Sequence, residues 1–127
     1  MGQYLIDTNS ISDYLSASLT EGGLSLIDSA INAIPKISII TQIELLCWNT
    51  DDETLQKVQD FISDCIVLNI SSDVISACVR IRRGKKLKTP DAIIAATAIV
   101  YNFKLITNNE KDFANIKGLK ILNPFKV

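Results

Sequence analysis

The sequence of 127 residues contains no histidine. That absence excludes a Ser-His-Asp triad, a Cys-His nucleophile pair, a ribonuclease built on imidazole acid–base chemistry, and the usual histidine-containing zinc sites. Cysteine is scarce: Cys47, Cys65 and Cys78 make an odd count and form no CxxC pair. They read as reduced core residues of a cytoplasmic protein. Long apolar runs are also missing. The longest, Ala92 to Tyr101, spans ten residues and includes Thr97, whereas a membrane span needs about 20. The opening MGQYLID has no basic region ahead of a long apolar stretch, so no secretory signal is expected. Repeats, linkers and low-complexity stretches are absent, and residues 1–127 are expected to form a single domain. The chemistry left to such a chain is that of carboxylates, hydroxyls, amides, Lys and Arg. Its 14 Asp and Glu residues make carboxylates the first suspects.

What is present is ordinary in amount and uneven in placement. Hydrophobic residues make up 47% and charged residues 21%, which suits a globular domain and excludes disorder. The net charge is −1, but residues 1–79 hold eleven acids and two lysines, net −9, while residues 80–127 hold eleven Lys and Arg and three acids, net +8. Arg80, Arg82, Arg83, Lys85, Lys86 and Lys88 fall in one nine-residue stretch. This stretch reads either as a solvated helix end or as a docking patch for a polyanion. It has no interleaved aromatics, so base stacking is not expected within it.

Helical and strand signals alternate. Strands are expected at Gln3–Ile6, Ile37–Ile40, Cys65–Ile70, Lys104–Ile106 and Leu119–Leu122. Helices are expected from Asn9 to about Ala17, over Leu24–Ala33 after the Gly22-Gly23 punctuation, and over Thr41–Asn49. Further helices should follow the capping-box pattern Thr50–Glu53, follow Ser71 or Ser72 as far as Gly84, and open at Thr89-Pro90 with proline in the first position. The Asp91–Tyr101 helix is apolar nearly all round and should be buried. The pattern implies a three-layer α/β/α fold around a mostly parallel sheet of about five short strands.

On this map the acids sit at the ends of elements. Asp7 ends the first strand, Glu44 falls in the first turn of the helix after the second strand, and Asp91 is the second residue of the buried helix. Asn109 and Asp112 follow the fourth strand. Taken singly, each is explained as a cap or a turn residue: Asp7 in Asp-Thr-Asn, Glu44 closing a Thr41-x-x-Glu44 capping box, Asp91 complementing a helix dipole. Taken together, they occupy the junctions where open α/β sheets bind ligands. Carboxylates about 4 Å apart repel by about 4 kcal/mol at an effective dielectric near 20. A cluster of them needs raised pKa values or a cation, and an all-oxygen set suits Mg²⁺ or Mn²⁺.

The strings YLIDTNSISDYL, SIITQIELL, TPDAIIAATAIVYNFKLITNNEKDF and GLKILNP resemble the PIN-domain family, most of all the VapC-type ribonuclease toxins of toxin–antitoxin pairs. The resemblance spans essentially the whole chain. It implies a metal-dependent endoribonuclease that leaves a 3′-hydroxyl and a 5′-phosphate, a protein antitoxin as partner, and a homodimer. By resemblance Asp7, Glu44 and Asp91 take the three core acid positions, with Asn109 at a fourth position that is commonly Asp. An amide brings no negative charge, so any second ion should bind more weakly or lean on Asp112. Thr8 and Thr41 are expected as hydroxyl neighbours. The cations of 80–88, with Lys104 and Lys111, are expected to hold the RNA backbone. Two other enzyme or receiver readings want a second acid close after Asp7, and Thr8 and Asn9 do not supply it. A PIN-like RNA-binding module that has lost turnover is the remaining alternative. A mean hydropathy of +0.22 and the stripe Leu24, Ile27, Ile31, Ile34 exceed what one small core needs to bury, which also points to a dimer and a covering partner.

Overall fold

A computed structural model describes residues 3–127; Met1 and Gly2, which belong to the opening read for a secretory signal, lie outside them. Five short strands, β1 (Tyr4–Ile6), β2 (Lys36–Ser38), β3 (Ile66–Leu68), β4 (Lys104–Ile106) and β5 (Ile121–Leu122), form one sheet in the order β3-β2-β1-β4-β5. Every pairing is parallel. The helices are α1 (Thr8–Leu15), α2 (Glu21–Asn32), α3 (Ile39–Leu46), α4 (Asp52–Ser63), α5 (Ser72–Gly84), α6 (Thr89–Tyr101) and the four-residue α7 (Glu110–Phe113).

The layers follow from the two-residue period of a strand. Leu5 and Leu105 point to one face, where they pack with Val74 and Ala77 of α5, Ile94 and Ala95 of α6, and Phe113 of α7. Their neighbours Ile6 and Ile106 point to the other face, with Ile37 of β2. There they meet Ile11 of α1, Ile27 of α2, Leu45 of α3 and Val58 of α4. Both faces are covered, which is the usual condition for an all-parallel sheet. The chain runs outward from β1 through β2 and β3, then crosses back to place β4 on the other side of β1. A crevice therefore opens beyond the carboxyl ends of β1 and β4, where the strand order reverses.

Several boundaries differ from those expected. β2 stops at Ser38, whose hydroxyl accepts the Ile40 N–H and caps α3. The Thr41-x-x-Glu44 capping box does not form, and Glu44 lies in the second turn. Asp51, not Thr50, caps α4 through the Thr54 N–H. α6 begins at Thr89, so Pro90 is its second residue and Asp91 its third. The Asn108-Asn109 turn leads directly into α7, a helix the periodicity did not indicate. Of the α2 stripe, Ile27 is buried and Ile31 half-buried, while Leu24 and Ile34 are exposed.

Gly22 and Gly23 do not break the chain but form the first turn of α2, capped by the Thr20 hydroxyl on the Gly23 N–H. Their lack of side chains admits the last residues: a Cβ on Gly23 would stand 2.2 Å from the Pro124 carbonyl oxygen. Around Gly84, at the end of α5, the same test meets nothing within 4 Å. Gly23→Ala is therefore expected to lower stability by about 1–3 kcal/mol, whereas Gly84→Ala should raise it by about 0.5–1 kcal/mol. Urea melts of the two variants, compared with the parent, check the opposite signs.

Candidate active site

The crevice is lined first by Asp7. β1 ends at Ile6, and Asp7 continues the pairing by donating its N–H to the Ile106 carbonyl at 2.9 Å. It then caps α1: its Oδ1 accepts the Thr8 N–H at 2.8 Å, while Oδ2 accepts the Thr107 hydroxyl at 2.8 Å. The cap reading and the functional reading thus describe the same side chain. Only 5% of Asp7 is exposed. Burial pushes its carboxyl up to about 6; the Thr107 and Thr8 hydrogen bonds oppose the rise, and the charges of Asp91 and Glu44 add to it.

Glu44 reaches the crevice from α3. Its Oε1 accepts the Thr8 hydroxyl at 2.7 Å, and that hydroxyl also lies 3.1 Å from the hydroxyl of the buried Thr41. Asp91 enters from the opposite layer, at the start of α6, and is half-buried. Its pKa is raised by burial, then by the like charges of Asp112 and Glu44, with Lys88 opposing. Asn109 lines the same crevice as Asp7, Glu44 and Asp91. It caps α7 by accepting the Asp112 N–H on Oδ1, and it donates from Nδ2 to Asp112 Oδ2 at 3.0 Å. Asp112 faces an adjoining groove lined by Arg82, Lys86 and Lys88.

The fold divides the basic stretch. Arg82, Lys86 and Lys88 share the groove with Asp112, beside Asp91. Arg80 and Lys85 instead line a separate groove with Asn115, Ile116 and Lys117. Two of the cations also serve the chain itself, Arg82 donating to the Leu87 carbonyl and Lys85 to the Ala114 carbonyl. Arg83 is exposed on the last turn of α5, in a hollow with Arg82 and Thr89. Lys111 is exposed on α7. Lys104 does not belong with them: it begins β4 and pairs with Tyr4, at the amino end of the strands and away from the crevice.

Two features escaped the sequence reading. Thr107 is one: its hydroxyl donates to Asp7 and accepts the Asn109 N–H at 3.0 Å, joining the two strand ends. Trp48 also lines the crevice. The stripe Thr41, Glu44, Leu45, Trp48, spaced as one helix face, was the available signal.

At the strand ends the crevice offers oxygen donors, the carboxylates of Asp7, Glu44 and Asp91 with the Asn109 amide beside them, and Asp13 adds a fourth carboxylate further along its wall. That donor set fits a hard divalent cation. Among the described residues no three acids stand close enough to form a metal-holding group.

A family model described as "PIN domain" matches residues 4–119. Ribonuclease VapC1 of Methanocaldococcus jannaschii is 30% identical over 126 residues, covering 92% of this chain and 85% of its own length. A toxin–antitoxin complex from Klebsiella pneumoniae contains a chain 34% identical, with a TM-score of 0.77, covering 98% of this chain and all of that one. The DNA-bound VapBC structure from Salmonella typhimurium shares the fold at 23% identity, with a TM-score of 0.80 and coverage of 98% and 99%.

Asp7 gives a pH test. Its carboxyl titrates near 3.8 in the unfolded chain and near 6 in the fold, so between those values the folded state binds more protons. Stability from this group is fullest below pH 3.8 and falls as pH rises to 6, by about 3 kcal/mol in all. In metal-free buffer at pH 7.5, Asp7→Asn should therefore unfold at a higher temperature than the parent, and the gap should close by pH 4. Calorimetry at the two pH values checks it.

Proposed function

The chain belongs to the PIN-domain family, and we propose that it acts as a divalent-metal-dependent endoribonuclease of the VapC kind, the toxin of a type II toxin–antitoxin pair. The observation that supports this most is the meeting of Asp7, Glu44 and Asp91, far apart in sequence, on one crevice with Asn109 beside them. Asp7, Glu44 and Asp91 would hold Mg²⁺ or Mn²⁺, with Asn109 and Asp112 as lesser candidates. The ion, when bound, neutralises phosphate charge and acidifies the attacking water. Thr107 and the Thr8 N–H fix the two Asp7 oxygens. The Thr8 hydroxyl orients Glu44. With no histidine present, the carboxylates are the groups able to accept a proton at the site. Lys88, Lys86 and Arg82 flank the acids and would carry the RNA backbone on their side, leaving Arg80 and Lys85 with a smaller share.

Asn109 favours a second reading, an RNA-binding module without turnover, because it supplies no charge and its amide is engaged with Asp112. A cleavage assay separates the two. The nuclease should cut single-stranded RNA with Mg²⁺ or Mn²⁺, stop in EDTA, and lose at least about a hundredfold in rate in Asp91→Asn. Binding without cutting in either metal supports the module instead. Charge reversal at Lys86 and Lys88 should flatten the salt dependence of RNA binding more than the same change at Arg80 and Lys85.

Exposed Ile43 and Leu46 on α3 and Ile75 and Val79 on α5 leave apolar surface for a second copy and for an antitoxin. No helix among the described residues is long and apolar enough to cross a membrane. Light scattering at micromolar concentration should give twice the chain mass; a monomer overturns the dimer.

A further inference from the structure

The crevice is longer than the acid cluster. From Asp7 it extends between α1 and α3 to Trp48, enclosing about 480 Å³, within the roughly 300–1,000 Å³ of small-ligand sites. Two walls form this arm. Asn9, Ser12 and Asp13 of α1, with its C-cap Ser16, follow the spacing of one helix face, and all four line the cavity. Opposite them stand Leu45, beside Glu44 on α3, and Trp48, which follows the C-cap Cys47 just past the end of that helix. Trp48 is half-buried and packs against the core cluster of Ile27 and Val58 while also walling the cavity. It is the chain's single tryptophan.

The charge of the arm limits what can enter it. No Lys or Arg lines the cavity, and Asp13 adds a carboxylate to those of Asp7, Glu44 and Asp91. A phosphate finds no counter-charge in this direction; the cations stand on the other side, by Asp91 and Asp112. A flat, uncharged group with amine donors does find complements: an aromatic wall and hydroxyl, amide and carboxylate acceptors. Single-stranded nucleic acid offers that group in its bases, which stack on aromatic rings and are read at their edges.

We propose that Trp48 is a base-stacking residue: the nucleotide flanking the scissile phosphate seats its base in the arm between α1 and α3, with Asp13 accepting from its exocyclic amine, while the backbone leaves past Lys88 and Lys86. The assignment rests on the nuclease reading and names a specificity determinant for it. Cytosine, which carries an amine where uracil carries a carbonyl, is the favoured pyrimidine.

The test uses the full chain in Mg²⁺ with the single-stranded RNA hexamers C6 and U6. Stopped-flow mixing with C6 should quench Trp48 fluorescence before product appears, and C6 should quench at lower concentration than U6. By anisotropy of labelled C6, Trp48→Phe should bind within about threefold of the parent, whereas Trp48→Leu, which keeps an apolar wall without a ring face, should bind about tenfold or more weakly. The salt slope should stay the same in both, because no phosphate contact is lost. Asp13→Ala should level C6 and U6. No quenching at saturating C6, or Trp48→Leu with parental affinity, overturns the stacking assignment; equal binding of C6 and U6 by the parent overturns the role of Asp13. Quenching without any cleavage in Mg²⁺ or Mn²⁺ removes the nuclease reading and leaves the arm standing. Cleavage with an unaltered KM in Trp48→Leu does the reverse.

Discussion

The site is organised around one unfavourable act, the burial of the Asp7 carboxylate at the end of the central strand. A carboxylate there costs free energy wherever it remains charged, and the fold surrounds it with the groups that reduce the cost. The Thr8 N–H comes from α1, which Asp7 itself caps, and the Thr107 hydroxyl comes from the end of β4. Because β1 lies mid-sheet, helices from both layers reach its carboxyl end. α3 brings Glu44 from one layer and α6 brings Asp91 from the other. A strand at the edge would have access to fewer such neighbours. The order β3-β2-β1-β4-β5 is therefore a condition for assembling the acids as well as a way of burying apolar faces.

The same placement explains what could be read from the sequence. Asp7 after an apolar strand and Asp91 at the head of an all-round apolar helix are local signals, and both lie where local reasoning put them. Leu5–Ile6 and Leu105–Ile106 also show their two-face alternation directly. Errors arose where a distant partner decides between equal local options. Ser38 and Thr41 are both good caps; β2 pairs with β3 only as far as Ser38↔Leu68, so the helix starts there and Glu44 moves to the second turn. Gly22-Gly23 looks like a break until the chain's last residues, about a hundred positions later, occupy the space over it. Thr107 has no visible role until folding brings it to Asp7. The basic stretch reads as one patch, yet part of it belongs to α5, where each residue turns by about 100° from the last, and its cations separate into different grooves.

The position of Asn109 is best understood as a limit on how much charge one crevice can carry. Asp91 already feels Asp112 and Glu44, and Asp7 feels Asp91 and Glu44. An acid at 109 would sit directly against Asp112, where the amide now donates at 3.0 Å. It would exchange that hydrogen bond for a repulsion of about 4 kcal/mol at 4 Å and an effective dielectric near 20. The amide keeps the cap on α7 through its oxygen and holds Asp112 through its nitrogen. Asp112 then faces Lys86 and Lys88 across the neighbouring groove, where cations offset its charge. An uncharged residue at 109 thus keeps a further carboxylate off a crevice that already carries Asp7, Asp13, Glu44 and Asp91, and it leaves Asp112 beside the cations, where its charge is offset.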